Sequence, residues 1–282
     1  MDLQHELDKA IRDKDSLECG YKAKNGKAYD RYMTNEAWAN FLKEMKKDYK
    51  SHYKKYKDCK GGELKEKNTP PKMACFGSSS RFIYLLLRNI KGVTFEYELE
   101  TRVGGDANLD AYLCKDNLDI FVEAKCREIY KAKKAKLKQQ YIPVYEFIQE
   151  KVDAFGIDRD SDAFVYNGHR IACLDIKQLI CHFLAISANY LTEPTAKANI
   201  RFVYFIYNPS ELQGYTQHYK ELELVYNAAI AEMEINIKNI FNAIFEYQKR
   251  NLTRRKCQRL IDRDVPIFEF ILADQYNIKS LL

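Results

Sequence analysis

The clearest alternation in the chain is VTFEYELET, residues 93 to 101. Val93, Phe95, Tyr97 and Leu99 fall on one side of a period-two pattern, and Glu96, Glu98 and Glu100 on the other. That period predicts a strand with one wet or functional face. Gly104-Gly105-Asp106 then turns the chain into two further short runs, 108–114 and 120–126, separated by the polar patch Lys115-Asp116-Asn117. Two alternating runs around such a patch predict a β-hairpin.

Helical periodicity marks the regions on either side. Thr34 and Asn35 are good N-caps for a helix reaching about Lys57. Trp38, Phe41, Leu42, Met45, Tyr49, Tyr53 and Tyr56 form its apolar stripe, and lysines form its opposite face. Gly61-Gly62 ends it, and Glu63 to Pro71 reads as a linker. These features predict an N-terminal helical extension over 1–72 and an α/β domain with C-terminal helices over 73–282. Within the latter, Ser78-Ser79-Ser80 caps a helix through about Asn89. A basic helical stretch follows Glu128, and Asp175 caps the helix IKQLICHFLAISANYL. NIRFVYFIYNP reads as a strand covered on both faces, 215–250 as a long helical region, and VPIFEFIL as a last strand. The sum is a mixed sheet between helices.

Composition narrows the class. The chain has 282 residues, 46% hydrophobic and 30% charged, with a formal net charge of +6. Both a core and a solvated surface are available, and no apolar run is long enough for a membrane helix. The charged start MDLQHELDKAIRDKD lacks the apolar stretch of a signal peptide, so a cytoplasmic protein is expected. Eight cysteines show no CxxC pair. Cys114, Cys126, Cys173 and Cys181 lie in apolar runs, which predicts reduced, buried thiols. A zinc site from Cys173, Cys181, His169 and His182 lacks the usual short ligand spacings. Lysines crowd 43–60 and 125–138, a distribution that suits a polyanion.

The hairpin carries the candidate chemistry. Period two puts Leu109, Ala111 and Leu113 on one face of its first strand, with Asp110 and Tyr112 on the other. It puts Glu123 and Lys125 side by side on the second strand. With the apolar faces paired, Asp110 joins them. Two carboxylates on adjacent strands can hold a hard cation such as Mg²⁺, with the Ala124 carbonyl between them. Such an ion acidifies a bound water and neutralises charge on a scissile phosphate. Lys125 can orient that water.

Asp110 followed by Glu123-Ala124-Lys125 resembles the PD-(D/E)xK nuclease superfamily, the restriction-endonuclease-like fold. The run ANLDAYL…IFVEAKCRE is similar to a bacterial subgroup of it. The resemblance spans about 78–210, with the motif confined to 98–128. It implies a three-layer α/β/α core with a central mixed sheet, Mg²⁺ or Mn²⁺ as cofactor, and phosphodiester cleavage leaving a 5′-phosphate, with DNA the first substrate. Many members place another acidic residue on the first core helix, and residues 80–90 contain none. Glu98 or Glu100 stands in for it, with the choice between them open. Some members carry Gln and Tyr four apart on the later helix; here the pair is Gln178 and His182. The expected catalytic set is therefore Asp110, Glu123, Lys125, Glu98, Glu100 and Gln178, with Asp110, Glu123 and Ala124 on the metal. A homodimer would suit cleavage of both strands of a duplex. The alternative reading is a non-catalytic nucleic-acid- or protein-binding module on the same fold.

Overall fold

The computed structural model describes residues 9, 11–13, 18–66, 69–126, 138–152, 155–158, 163–166, 169–171, 176–206, 237–255, 257, 260–273 and 278–282. The predicted basic stretch after Glu128, the Asp175 cap, Cys173 and residues 207–236 lie largely or wholly outside them.

A five-stranded sheet forms the centre. Its members are β3 (Thr94–Glu100), β4 (Asp106–Lys115), β5 (Leu118–Lys125), β9 (Asn199–Ile206) and β10 (Ile267–Ala273), in the order β10-β9-β5-β4-β3. Strands β3, β4 and β5 form an antiparallel meander, while β9 runs parallel to both β5 and β10. The sheet is mixed, as expected. The strand β9 alternates cleanly between two apolar layers. Phe202 and Tyr204 join one cluster, and Val203 and Phe205 the other. Burial on both faces is what its unbroken apolar sequence requires.

The first layer holds α4 (Ile142–Lys151), α5 (Ile176–Thr192) and α6 (237–254), through residues such as Ile148, Phe183 and Phe241. The second holds α1 (Asn35–Asp48), α2 (Lys50–Asp58) and α3 (Ser79–Leu87), through Met45, Tyr56 and Ile83. A short three-stranded sheet comprises β6 (Phe155–Asp158), β7 (Ala163–Tyr166) and β8 (His169–Ile171). The chain closes on α7 (Ile278–Leu281). No helix among the described residues is long and apolar enough to cross a membrane.

The structure departs from the sequence pattern in four places. The N-terminal stretch opens with an antiparallel hairpin, β1 (Cys19–Lys22) and β2 (Ala28–Met33), ahead of its helices. Tyr21 and Met33 of this hairpin enter the same apolar cluster as Phe95. The single helix expected from Thr34 to Lys57 is two helices. Thr34 does cap the first, its side chain accepting from the Ala37 N–H, but Tyr49 at φ −135°, ψ 50° breaks the spiral before α2. Cys114 is exposed, whereas Cys126 is buried.

The fourth difference lies on the central meander. Phe95 and Val93 belong to the α1–α3 layer, yet Leu99 belongs to the α4–α6 layer and Tyr97 packs against it. On β4, Ala107 and Leu109 face α5, while Ala111 and Leu113 face the opposite way. The expectation of one uniform apolar face on each strand is therefore corrected. Both strands switch faces at one level. Register runs from Phe95↔Ala111 to Tyr97↔Leu109, and Glu96 and Asp110 stand unpaired between these pairs. Glu96 has φ +48°, a left-handed value uncommon for a non-glycine residue. Such an irregularity rotates the strand and re-aims the side chains beyond it.

Phe95 ties the N-terminal helices to the sheet, stacking on Tyr56 with centroids 5.5 Å apart and meeting His52 edge-on at 4.9 Å. Phe95→Ala is expected to lower unfolding free energy by about 3–5 kcal/mol, measured by urea denaturation. A loss under about 1 kcal/mol would mean that this aromatic contact does not hold the two parts together.

Candidate active site in the strand fork

The β4–β5 ladder ends at Ala111↔Val122. The next residues along the two strands are Asp110 and Glu123, where the strands part. Beyond the last pair, the Ala124 N–H donates to the side chain instead, reaching Asp110 Oδ2 at 2.7 Å. The other Asp110 oxygen has no hydrogen-bond partner among the described residues.

Regular alternation on β5 turns Glu123 and Lys125 toward α5. Both are buried, 2% and 5% exposed. The Lys125 ammonium donates to Glu123 Oε1 and, at 2.6 Å, to Gln178 Oε1. His182, one turn along α5, brings Nε2 within 3.0 Å of Glu123 Oε2. That approach is not aligned as a hydrogen bond, and the buried Nδ1 has no partner either. Asp110, Glu123, Lys125 and Gln178 are thus brought together as expected.

These side chains open on a cleft of about 520 Å³. Glu63, Lys72, Glu96, Ala124 and the start of α3 are also part of its lining. Glu98 and Glu100 do not line it. Glu98 is exposed and bonded to Lys60, which also holds Asp106 at 2.7 Å. Glu100 is exposed and pairs with Arg102 at 2.8 Å. The carboxylate that the face switch delivers from β3 to the cleft is Glu96.

The electrostatics are asymmetric. Burial pushes Glu123 up, but Lys125 and His182 outweigh it and hold the carboxyl down at about 2. Asp110 goes the other way: burial, and then the Glu123 charge, raise it well above the ordinary range, with Lys125 offsetting only part. Glu96 is raised to about 7, by burial first and then by Glu63, against a weaker pull from Lys72. Lys72 itself sits 2.9 Å from Glu63. The cleft therefore holds more carboxylates than its ammonium groups neutralise.

Among the described residues, no group of three or more His, Cys, Asp or Glu side chains forms a metal-holding cluster. Cys181 of the weighed zinc set meets the Tyr141 hydroxyl at 3.4 Å; Cys173 and the side chain of His169 lie outside the described residues. An Mg²⁺ site makes a smaller demand, one or two carboxylates with water and phosphate oxygens completing the shell. The oxygen donors here fit that chemistry. Asp110 has one oxygen free, Glu123 is ionised, and the Ala124 carbonyl projects from the same strand edge as its N–H.

No protein-family model matches the chain, and no curated protein or solved structure shows significant similarity to it.

Sequence reasoning missed Glu96, Glu63, Lys72 and the contact of His182. Nothing in the alternation of VTFEYELET announces a left-handed glutamate, and Glu63 sits in what reads as a linker.

Because Glu96 is raised in the folded state, the native protein binds more protons than the unfolded chain between about pH 4.5 and 7. Its ionisation is thus a stability penalty that grows as pH rises through that window. Glu96→Gln is expected to stabilise the protein by about 1–3 kcal/mol at pH 8 and to have little effect at pH 4, read from denaturation at both pH values. An equal effect at the two pH values would contradict this electrostatic account.

Proposed function

We propose that the strand fork is the reaction centre of a metal-dependent nuclease that hydrolyses phosphodiester bonds, with DNA as the first substrate to consider. One observation carries the reading. Asp110 and Glu123 stand at the point where the β4–β5 ladder opens, and Lys125 is fixed beside them by Gln178. The order α3, β3-β4-β5, α5, β9 also fits the restriction-endonuclease-like core that the motif implies.

Asp110, Glu123 and the Ala124 carbonyl would hold Mg²⁺ or Mn²⁺. Bound there, the ion would supply an acidified water and positive charge for the phosphate. The protein's own groups do the rest. Asp110 is oriented by the Ala124 N–H, so one oxygen is fixed and the other faces the cleft. Glu123 stays ionised because Lys125 and His182 stabilise its charge. Lys125, once a ligand competes for Glu123, can turn its ammonium to the attacking water or to a phosphate oxygen. Gln178 limits how far it can move. In-line attack by water on phosphorus then breaks the P–O3′ bond and leaves a 5′-phosphate and a 3′-hydroxyl.

Wild type, Asp110→Ala and Lys125→Ala should be compared on plasmid, linear and single-stranded DNA, and on RNA, with Mg²⁺, Mn²⁺ or EDTA. Cleavage is expected only with a divalent cation, falling by about 10²-fold or more in either variant. Folded wild type that cuts none of these substrates would reject the reading. Tight nucleic-acid binding in that case would support the non-catalytic module instead.

A further inference from the structure

The wall of the cleft formed by the start of α3 has no part in the reaction outlined above. Gly77, Ser78, Ser79 and Ser80 belong to the lining, as does Lys72, which is paired with Glu63 at 2.9 Å. Ser78 is committed to the fold: its Oγ caps the helix by accepting from the Arg81 N–H at 3.2 Å. Ser79 and Ser80 are not. Their backbone N–H groups have no acceptor among the described residues, as expected for the first turn of a helix.

Ser80 supplies an independent observation. It is only 7% exposed, and its hydroxyl has no partner among the described residues; its carbonyl accepts from the Tyr56 hydroxyl at 3.3 Å. The residue lines the cleft, and its hydroxyl is not shut off from that space, so a ligand there can bond to it. Arg81, the next residue, is 3% exposed and donates to the Phe76 carbonyl at 3.2 Å, placing a buried cation behind the same loop. Free N–H groups, a helix N-terminus and a free hydroxyl are complementary to a phosphate, which would compete with Glu63 for Lys72.

We propose that the first turn of α3, through the Ser79 and Ser80 N–H groups and the Ser80 hydroxyl, with Lys72 at its rim, binds a phosphate of the nucleic-acid strand next to the one being hydrolysed. The ligand is a phosphate monoester or diester on the strand. This deepens the nuclease reading and rests on it for the identity of the ligand. In this arrangement, the helix fixes the strand while the opposite wall, with Asp110, Glu123 and Lys125, carries out the cut.

The test is binding of a fluorescent 12-nucleotide strand and its duplex in Ca²⁺, with thermal shift in inorganic phosphate as a second readout. Ser80→Ala removes the hydroxyl at a position that tolerates alanine, and should weaken oligonucleotide binding at least about fivefold. Ser79→Asp puts a carboxylate where the helix favours one, so Tm should not fall. It should nevertheless weaken binding about tenfold or more and abolish the phosphate-dependent rise in Tm. A 5′-phosphorylated strand compared with a 5′-hydroxyl strand separates the two sources. Preference for the former identifies a terminal phosphate, and equal affinity an internal one. Wild-type affinity in both variants would overturn the subsite, and if cleavage persists the nuclease reading survives alone. Wild type that neither binds the strand nor gains stability from phosphate would overturn it too. Phosphate-dependent binding without cleavage would instead sink the nuclease reading and leave the subsite standing.

Discussion

The arrangement depends on one redirected hydrogen bond. Where β4 and β5 part, the Ala124 N–H turns to the Asp110 side chain. An N–H left unmade there would cost about 1–3 kcal/mol. The carboxylate therefore stabilises the open fork while remaining half-buried in it. That bond also uses one Asp110 oxygen and aims the other outward. The opening that interrupts the sheet and the group that could bind a cation are thus produced by the same contact.

Burying Glu123 and Lys125 requires compensation of another kind. Charges this far from water persist only when paired and hydrogen-bonded. Both Glu123 oxygens have close neighbours, Lys125 on one side and His182 on the other. Gln178 takes another of the Lys125 hydrogens. Helix α5 is consequently more than a cover for the sheet, because two of its side chains one turn apart bracket the ion pair. With the local positive charge committed to Glu123, Asp110 and Glu96 are both pushed above the ordinary carboxylate range. The ordering of the three carboxyls follows from which of them the lysine reaches.

Much of this was legible in residue order. Period two placed Glu123 and Lys125 on one face because β5 is regular from end to end. The unbroken apolar run of β9 correctly implied cover on both sides, and Thr34 and Ser78 marked true helix starts. The same logic failed at Glu96 and Asp110 because alternation assumes an unbroken pleat. A single left-handed residue shifts every later side chain to the other face, and glutamate carries no local signature for that conformation. Glu98 and Glu100 were the natural choices under strict alternation; with the switch, they point to Lys60 and Arg102. The break at Tyr49 was hidden for a related reason, since its apolar stripe continues in phase across it. Glu63 joined the cleft through tertiary packing, which no periodicity encodes.

The N-terminal segment therefore contributes to the candidate site as well as to stability. Tyr56 packs on Phe95, the residue before the left-handed Glu96, and its hydroxyl holds the Ser80 carbonyl. Lys60, just beyond α2, ties Glu98 and Asp106 together across β3 and β4. Glu63 then places its charge near Glu96 in the cleft. Tyr56, Lys60 and Glu63 thus brace the strand switch on one side and form a wall on the other. The fork alone would leave its carboxylates at an open end of the sheet. Packing this segment against β3 and α3 makes that end into a cleft, lined by the carboxylates and by the first residues of a helix.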